Sequence, residues 1–215
     1  GSYAGEWRFR RGDGSIFWGQ LNARPVDRSN AAAGTIWTFS DVTALRASRE
    51  HLQWQATHDQ LTGLGNRVVF EERLKSVLGH PPAALLVIDL DRFKPINDRF
   101  GHEAGDEVLR EIATRLRATV RANDTAARMG GDEFALLLTN LARQEEAEFV
   151  IRQALVTIKQ SITPLKSGPT VSVSGSVGTA FYPTDATQPA ALFAKADAAM
   201  YKNKKRVVSI GRAGE

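Results

Sequence analysis

Arg128-Met129-Gly130-Gly131-Asp132-Glu133-Phe134 places two glycines and two adjacent carboxylates between two segments with strand character. The strand candidates are Thr125 to Met129 before the glycines and Phe134 to Leu138 after them. A Gly-Gly pair followed by Asp suits a tight hairpin, because the central residues of such turns take positive φ. Glycine also lets the backbone approach a ligand closely, and two carboxylates at a hairpin tip suit a hard divalent cation. The stretch alone is equally compatible with a solubilising acidic turn and with a metal site.

Length and composition limit the class of protein. The 215 residues allow one domain of ordinary size with an appendage, and the 42% hydrophobic and 24% charged contents are those of a globular protein. No apolar run is long enough to span a bilayer. The chain has no cysteine, which excludes disulfides and thiolate metal sites, and its net charge of +4 is too mild to argue for a nucleic-acid polymer as partner. We expect a cytoplasmic protein without a membrane segment.

Residues 3–40 have an all-β pattern. Segments 6–10 and 16–21 flank the hairpin sequence Arg11-Gly12-Asp13-Gly14-Ser15, and a third strand candidate covers 35–39. Three strands of this length make a poor core alone, so we expect part of a domain. A helix follows, with Asp41 as a plausible cap. Its stripe of Val42, Leu45, Leu52 and Ala56 fits a surface linker helix and a short coiled coil equally well.

From residue 58 onward, strand and helix patterns alternate. The continuous apolar run Ala83 to Ile88 predicts a buried central strand. After it come a helix with an apolar face, the glycine hairpin, a second helix, a strand candidate, a last helix over 190–203 and a short strand over 206–210. The apolar positions that carry these predictions are Leu109, Ile112, Leu116 and Val120 in the first helix, Ile151, Leu155, Ile158 and Ile162 in the second, and Val171, Val173 and Val177 in the strand. The order is β-α-β-β-α-β with an added strand and helix. It predicts an α+β fold of ferredoxin-like or palm type, with helices on one side of an antiparallel-containing sheet.

Asp89 and Asp91 stand at the carboxyl end of the predicted central strand. Alone they would be an ordinary polar strand terminus. A sheet that pairs this strand with the hairpin would bring Asp89 close to Asp132 and Glu133, an arrangement that suits metal-assisted phosphoryl or nucleotidyl transfer.

The segment that follows contains candidates for nucleotide recognition. Pro95 must lie near a helix start, which makes the backbone N–H groups of Phe93 and Lys94 an anion site. Asn97 and Asp106 are separated by a break at Gly101 and Gly105, and they could face each other across a cleft. A carboxylate such as Asp106 can accept both N1–H and N2–H of guanine. Helix capping is the alternative for both residues, with Asp106 an N-cap candidate.

Together these motifs resemble the GGDEF family of diguanylate cyclases. The matching blocks run in the family's order over roughly 150 residues, which makes the likeness far more specific than one motif. They are 59–67 (DQLTGLGNR), 89–94 (DLDRFK), Asn97-Asp98 through Gly105-Asp106, 128–134 (RMGGDEF) and 196–201 (ADAAMY).

The resemblance implies condensation of two GTP molecules into cyclic di-GMP, a bacterial second messenger, with release of pyrophosphate. Each protomer would hold one GTP, so a homodimer is implied. By likeness, Asp89, Asp132 and Glu133 would be catalytic and bind Mg²⁺ or Mn²⁺, with help from the Leu90 carbonyl. The implied substrate-binding residues are Asn97, Asp106, Phe93, Lys94, Gly130, Gly131 and Lys204.

Arg121 and Asp124 precede the signature at the spacing of the family's Arg-x-x-Asp inhibitory product site. The alternative is an ordinary solvent-exposed turn without a binding role. Arg152 would add a contact by likeness. One departure concerns the substrate: Val208 occupies the position of a phosphate-binding arginine. This feature favours the alternative of a catalytically weak domain that binds GTP or cyclic di-GMP as a regulatory module.

Residues 1–43 resemble the carboxy-terminal part of a PAS domain, ending in Asp41-Val42-Thr43. This division implies a linker helix over 44–57 and a GGDEF domain over 58–215. The PAS part would lack most of a ligand pocket, and its exposed strand edges could drive association.

Overall fold

A computed structural model describes residues 2–27, 29–30, 33–77, 79, 82–164 and 169–212, with only the backbone of 206–212. The chain divides into two compact units, Gly1–Gln55 and Ala56–Glu215. In the first unit, β1 (Tyr3–Arg10), β2 (Ile16–Pro25) and β3 (Thr35–Asp41) form an antiparallel sheet in the order β1-β2-β3. The three predicted strands and their hairpin are confirmed.

Helix α1 (Thr43–Thr57) follows β3 directly. The Asp41 carboxylate accepts the backbone N–H of Thr43 at 3.0 Å, so it does satisfy a donor at the helix start. No residue of α1 is buried, and Leu45 and Leu52 are exposed. The choice between a linker helix and a coiled coil stays open.

The second unit is built on a four-stranded sheet. Its elements are α2 (Arg67–Val77), β4 (Ala83–Asp91), α3 (Phe93–Phe100), α4 (His102–Thr119), β5 (Thr125–Gly130), β6 (Glu133–Thr139), α5 (Gln144–Lys159), β7 (Ser174–Tyr182) and α6 (Pro189–Arg212). The strand order is β5-β6-β4-β7, and every neighbouring pair is antiparallel. The α+β class and the β-α-β-β-α-β order of the core are confirmed, with the first helix divided into α3 and α4. The last predicted helix corresponds to α6, whereas α2 was not predicted. The palm assignment stays a prediction.

The helices lie on both faces of this sheet, so the prediction of helices on one side is wrong. Leu86 and Ile88 of β4 pack in one apolar cluster with α3, α4 and α5. Leu85 and Val87 of the same strand pack in another with α2 and α6. Every residue of β4 is buried, because successive side chains of a strand point to opposite faces and both faces are covered.

Three predicted element boundaries need correction. The short strand over 206–210 is wrong, since α6 continues to Arg212; no proline or glycine interrupts the chain between Asn203 and Ile210. Ile162 lies beyond the end of α5 and forms an isolated bridge with Val171. Strand β7 begins at Ser174, after Val171 and Val173. In all three cases β-branched residues misled the assignment, because they fit buried positions of several backbone types.

Within the described ranges, no helix has the length and apolarity needed to cross a membrane.

Candidate active site

The acidic hairpin lies beside the end of β4, as the sequence predicts. Asp89 and Glu133 are direct partners in the β4–β6 register. The backbone N–H of Leu90 donates to the carbonyl of Asp132 at 3.2 Å, which draws that residue to the same strand end. Gly130 and Gly131 have φ of 135° and 54°, a region that disfavours residues with a Cβ. A Cβ at either glycine would meet no atom within 4 Å, so the space over the turn is open.

Lys204 of α6 pairs with Asp89. Partial burial raises the pKa of Asp89, and the negative charges of Asp132 and Asp91 raise it further, against the opposing effect of Lys204. For Lys204 itself, burial opposes the charge but Asp89 outweighs it, so its pKa lies above the usual value. The ammonium group thus supplies positive charge where acidic side chains converge. The phosphate role implied for Lys204 requires it to exchange this carboxylate for a phosphate oxygen.

The pKa of Glu133 is also raised. Burial is the main cause, followed by the charge of Asp89, while Arg67 opposes the shift and Asp197 adds to it. Arg67 begins α2 and donates to the Met129 carbonyl at 3.4 Å. The sequence alone does not indicate a role for Arg67 or Asp197. The available signal was that both lie in motif blocks that match the family.

The donor set fits a divalent cation chemically. Asp89, Asp132 and Glu133 supply hard oxygen ligands, and the Leu90 backbone lies beside them. Burial and, after it, the neighbouring negative charges raise the pKa values of Asp89 and Glu133, and a bound cation would favour their charged forms. Within the part of the chain that the structure describes, no three acidic or histidine side chains are already gathered at ligand distance.

Asp91 has a different role from Asp89. Its two carboxylate oxygens accept the hydroxyls of Ser174 at 2.8 Å and Ser176 at 2.7 Å, both on β7. The residue is buried. These bonds attach the end of β4 to β7. They use both carboxylate oxygens of Asp91 in contacts within the protein.

The structure brings Asn97 of α3 close to the α4 backbone at Gly105, the residue before Asp106. Asn97 lies inside α3, and a Cβ at Gly105 would lie 1.8 Å from Asn97 Oδ1. The Asn97 amide therefore covers the backbone next to Asp106. The chain break lies at Gly101, with φ 86°, whereas Gly105 is helical, which corrects the predicted break at both glycines. Helix α4 begins at His102, so the capping alternative for Asp106 is wrong.

Helix α3 begins at Phe93, which confirms the predicted helix start. The Phe93 side chain is buried in the core, whereas Lys94 is exposed. The preceding Arg92 has φ 58° and caps the helix without a side-chain hydrogen bond. The first backbone N–H groups of α3 therefore follow directly after the acidic end of β4.

The Arg121–Asp124 segment forms a turn that is closed by the Asp124 side chain. Asp124 is buried, and its carboxylate accepts the backbone N–H groups of Arg121 at 3.0 Å and Thr139 at 2.9 Å. The Arg121 side chain is 69% exposed and pairs with Glu146 at 3.1 Å. Arg152 is exposed on α5 and lies 3.6 Å from Glu148. Both arginines are thus available at the surface, while Asp124 is held inward by the turn.

Val208 and the side chain of Arg206 lie outside the residues whose side chains the structure describes.

Comparison with known proteins identifies the class. Residues 56–208 match the family model described as diguanylate cyclase, GGDEF domain. The chain belongs to the GGDEF diguanylate cyclase family.

Two named relatives align with most of this chain. It is 45% identical over 176 residues to diguanylate cyclase TpbB of Pseudomonas aeruginosa, which covers 80% of this chain and 40% of that protein. It is 36% identical over 190 residues to the response regulator PleD of Caulobacter vibrioides, covering 85% of this chain and 42% of the relative. The chain thus spans about two fifths of the length of these relatives.

Two solved structures illustrate the likeness in fold. The GGDEF domain of TpbB matches with a TM-score of 0.67 and 47% identity, over 69% of this chain and 89% of that one. The coiled coil and GGDEF domain of DgcB from Caulobacter crescentus, in complex with cyclic di-GMP, matches with a TM-score of 0.68 and 28% identity. That match covers 76% of this chain and 88% of the DgcB chain.

Proposed function

We propose that this chain is the output module of a diguanylate cyclase, which condenses two GTP molecules into cyclic di-GMP and releases two pyrophosphates. In each half-reaction the 3′-hydroxyl of one GTP attacks the α-phosphorus of the other. A P–O bond forms, the bond to the β-phosphate breaks, and the hydroxyl proton is lost. The observation that supports this most is the register of Asp89 opposite Glu133, with Asp132 bonded to the Leu90 backbone beside them.

Asp89, Asp132 and Glu133, with the Leu90 carbonyl, would hold Mg²⁺ or Mn²⁺. The bound metal would lower the pKa of the attacking hydroxyl and offset charge on the α-phosphate. Asp132 would help to remove the hydroxyl proton. The open space over Gly130 and Gly131 would leave room for the nucleotide.

Substrate recognition is assigned to the α3–α4 junction and its surroundings. Asp106 would accept the two N–H groups of guanine, and Asn97 would add an amide contact. The backbone at Phe93 and Lys94 would bind the distal phosphates, with Lys204 joining them once it leaves Asp89. Because each protomer holds one GTP, two protomers must meet face to face, and the active form is a homodimer.

Product inhibition would act through Arg121 and Asp124, with Arg152 as a supplementary contact. The exposure of both arginine side chains favours this role, because each can turn from its surface carboxylate to a guanine edge or phosphate. Asp124 would keep the turn in shape through its backbone contacts. The DgcB structure contains cyclic di-GMP as ligand, which supports the product as a ligand for this family.

We further propose that residues 1–43 are the carboxy-terminal part of a PAS domain, followed by a linker helix over 44–57 and the cyclase domain over 58–215. A cytoplasmic location fits a reaction that consumes GTP.

The alternative is a domain that binds GTP or cyclic di-GMP without turnover. Two observations favour this alternative. Val208 stands where the family carries an arginine, and Lys204 forms an ion pair with Asp89, one of the proposed metal ligands. Incubation with GTP and Mg²⁺, followed by chromatography, separates the two proposals. We expect cyclic di-GMP from the parent and none from Asp132→Ala, with both proteins equally folded. Equal product from the variant would refute the role of Asp132, and GTP binding without product in the parent would favour the alternative.

A further inference from the structure

The Arg128 side chain of the signature forms hydrogen bonds inside the protein that the proposed reaction does not use. Its guanidinium lies between the acidic turn and the loop that follows α1. We propose that Asp59 is a positioning residue for the metal-binding turn, acting through Arg128. This inference rests on the proposed function and assigns a role that lies outside the metal and nucleotide ligands.

The guanidinium of Arg128 makes two pairs of contacts. Nη1 lies 3.1 Å from each carboxylate oxygen of Asp59. Nε and Nη2 donate to the carbonyl of Gly131 at 2.9 Å and 2.7 Å. A guanidinium is planar and its donors have fixed directions. The pairing with Asp59 therefore determines the plane in which the other two nitrogens meet the carbonyl.

The carbonyl that Arg128 binds belongs to the peptide that leads into Asp132. The β5–β6 ladder is irregular between Arg128 and Gly130, so regular strand pairing does not fix the turn. Gly131 also has access to many backbone conformations because it lacks a Cβ. On the other side of Asp132, its carbonyl accepts the Leu90 N–H. Asp132 is thus held between a contact from β4 and a contact from Arg128.

Asp59 is itself fixed before it contacts Arg128. Oδ1 accepts the backbone N–H of Thr62 at 2.9 Å and its hydroxyl at 2.7 Å, and the Asp59 N–H donates to the Leu64 carbonyl at 2.9 Å. Burial opposes the charge on Asp59, but the bonds from Thr62 and Arg128 outweigh it and keep its pKa below the ordinary value. The carboxylate is therefore charged and rigidly oriented at neutral pH.

The Asp59 loop is attached to the same strand that carries Arg128. Gly65 pairs with Ala127 in a parallel bridge, and its carbonyl accepts the Arg128 N–H at 3.0 Å. Asn66, the residue after Gly65, donates from Nδ2 to the Ala56 carbonyl at 2.9 Å. Hydrogen bonds therefore connect the Asp59 loop to Arg128, and Arg128 to the peptide before Asp132.

The chain offers a matched control for a merely structural ion pair. Arg115 has the same side-chain exposure as Arg128, 13%, pairs with a carboxylate, Glu111, and donates to backbone carbonyls at the end of α5. It contacts none of the proposed site residues. If Asp59 only stabilises the fold, Asp59→Asn and Glu111→Gln should behave alike.

The experiment measures Mn²⁺ affinity by electron paramagnetic resonance in the presence of 3′-deoxy-GTP, which lacks the attacking hydroxyl, so that no turnover occurs. We expect Asp59→Asn to weaken Mn²⁺ binding by about 10- to 100-fold, the usual effect of losing an outer-shell support. Glu111→Gln should leave Mn²⁺ binding unchanged. Thermal melts of both variants provide the comparison of stability. In turnover assays, Asp59→Asn should lower kcat more than it raises the KM for GTP.

Two further variants test whether Asp59 acts through Arg128. Arg128→Lys keeps the positive charge, but a lysine cannot contact Asp59 and the Gly131 carbonyl with one rigid plane. Arg128→Lys should therefore bind Mn²⁺ more weakly than the parent protein. The double variant Asp59→Asn/Arg128→Lys should bind Mn²⁺ no more weakly than Arg128→Lys alone, because both changes break one connection.

Parental Mn²⁺ affinity in Asp59→Asn, an equal loss in Glu111→Gln, or additive losses in the double variant would each overturn the inference. These results differ from failure of the proposed function. In that case the parent protein itself would bind no Mn²⁺ with the nucleotide, and the positioning role would fall with it.

Discussion

Replacing Gly105 with alanine would separate guanine recognition from the stability of the fold. The new Cβ would lie 1.8 Å from Asn97 Oδ1 and 2.9 Å from its Cγ, so the Asn97 side chain must turn away. The next contact, Phe93 Cζ at 3.2 Å, needs only a small adjustment. Because position 105 is helical, alanine should gain about 1 kcal/mol of helix propensity, which offsets part of the cost of moving Asn97.

The expected functional cost follows from one lost hydrogen bond to guanine. Such a bond contributes about 1 kcal/mol, which is roughly a fivefold increase in KM for GTP. The kcat should change little, because the acidic site is untouched. Steady-state kinetics of cyclic di-GMP formation measure both constants, and a urea titration measures stability.

Asn97→Ala is the matched control for this prediction. If alanine at 105 acts by displacing Asn97, the double variant Asn97→Ala/Gly105→Ala should have the same KM as Asn97→Ala. An unchanged KM in Gly105→Ala, or a further increase in the double variant, would refute the reasoning.

Three other predictions concern the fold, the pH dependence and the product site. Gly178→Ala should lower the free energy of unfolding by about 3 kcal/mol or more in a urea titration, because its Cβ would lie 2.0 Å from a backbone carbonyl oxygen of α6, which cannot turn aside as a side chain can; an unchanged midpoint would contradict the close packing of α6 on β7. The raised pKa values of Asp89 and Glu133 mean that protons compete with the metal above the usual carboxylate range, so Mn²⁺ affinity should increase as pH rises through those pKa values. A titration series over pH measures this, and an affinity that is flat down to the ordinary carboxylate range would contradict it. Arg121→Ala should weaken cyclic di-GMP binding at least tenfold by calorimetry, through loss of a bidentate charged contact, while parental affinity would remove this residue from the product site.

The central sheet and the acidic cluster could be predicted because their signals are local or follow from strand pairing. The apolar run of β4 and the Gly130–Gly131 turn identify two neighbouring elements. Once they pair, Asp89 must face the hairpin, as the observed partner Glu133 confirms. The same apolar run also indicated cover on both faces, since a strand exposed on one side would alternate. The prediction of helices on one side overlooked that signal.

The sequence did not predict the features that depend on contacts between residues far apart in the chain. Nothing local shows that Asp59 pairs with Arg128, 69 residues away, or that Arg67 and Asp197 act on Glu133. A glycine such as Gly105 predicts a chain break because glycine often interrupts a helix, yet here its missing Cβ makes room for Asn97. Close approach between two packed helices is not visible in the spacing of either one.

The most direct test of the proposed reaction is the stoichiometry of its products. The parent protein with GTP and Mg²⁺ should yield two pyrophosphates for each cyclic di-GMP, with both products measured in the same reaction by coupled assay and chromatography. One pyrophosphate for each cyclic mononucleotide, or GTP that stays unchanged in the presence of folded protein, would contradict the assignment.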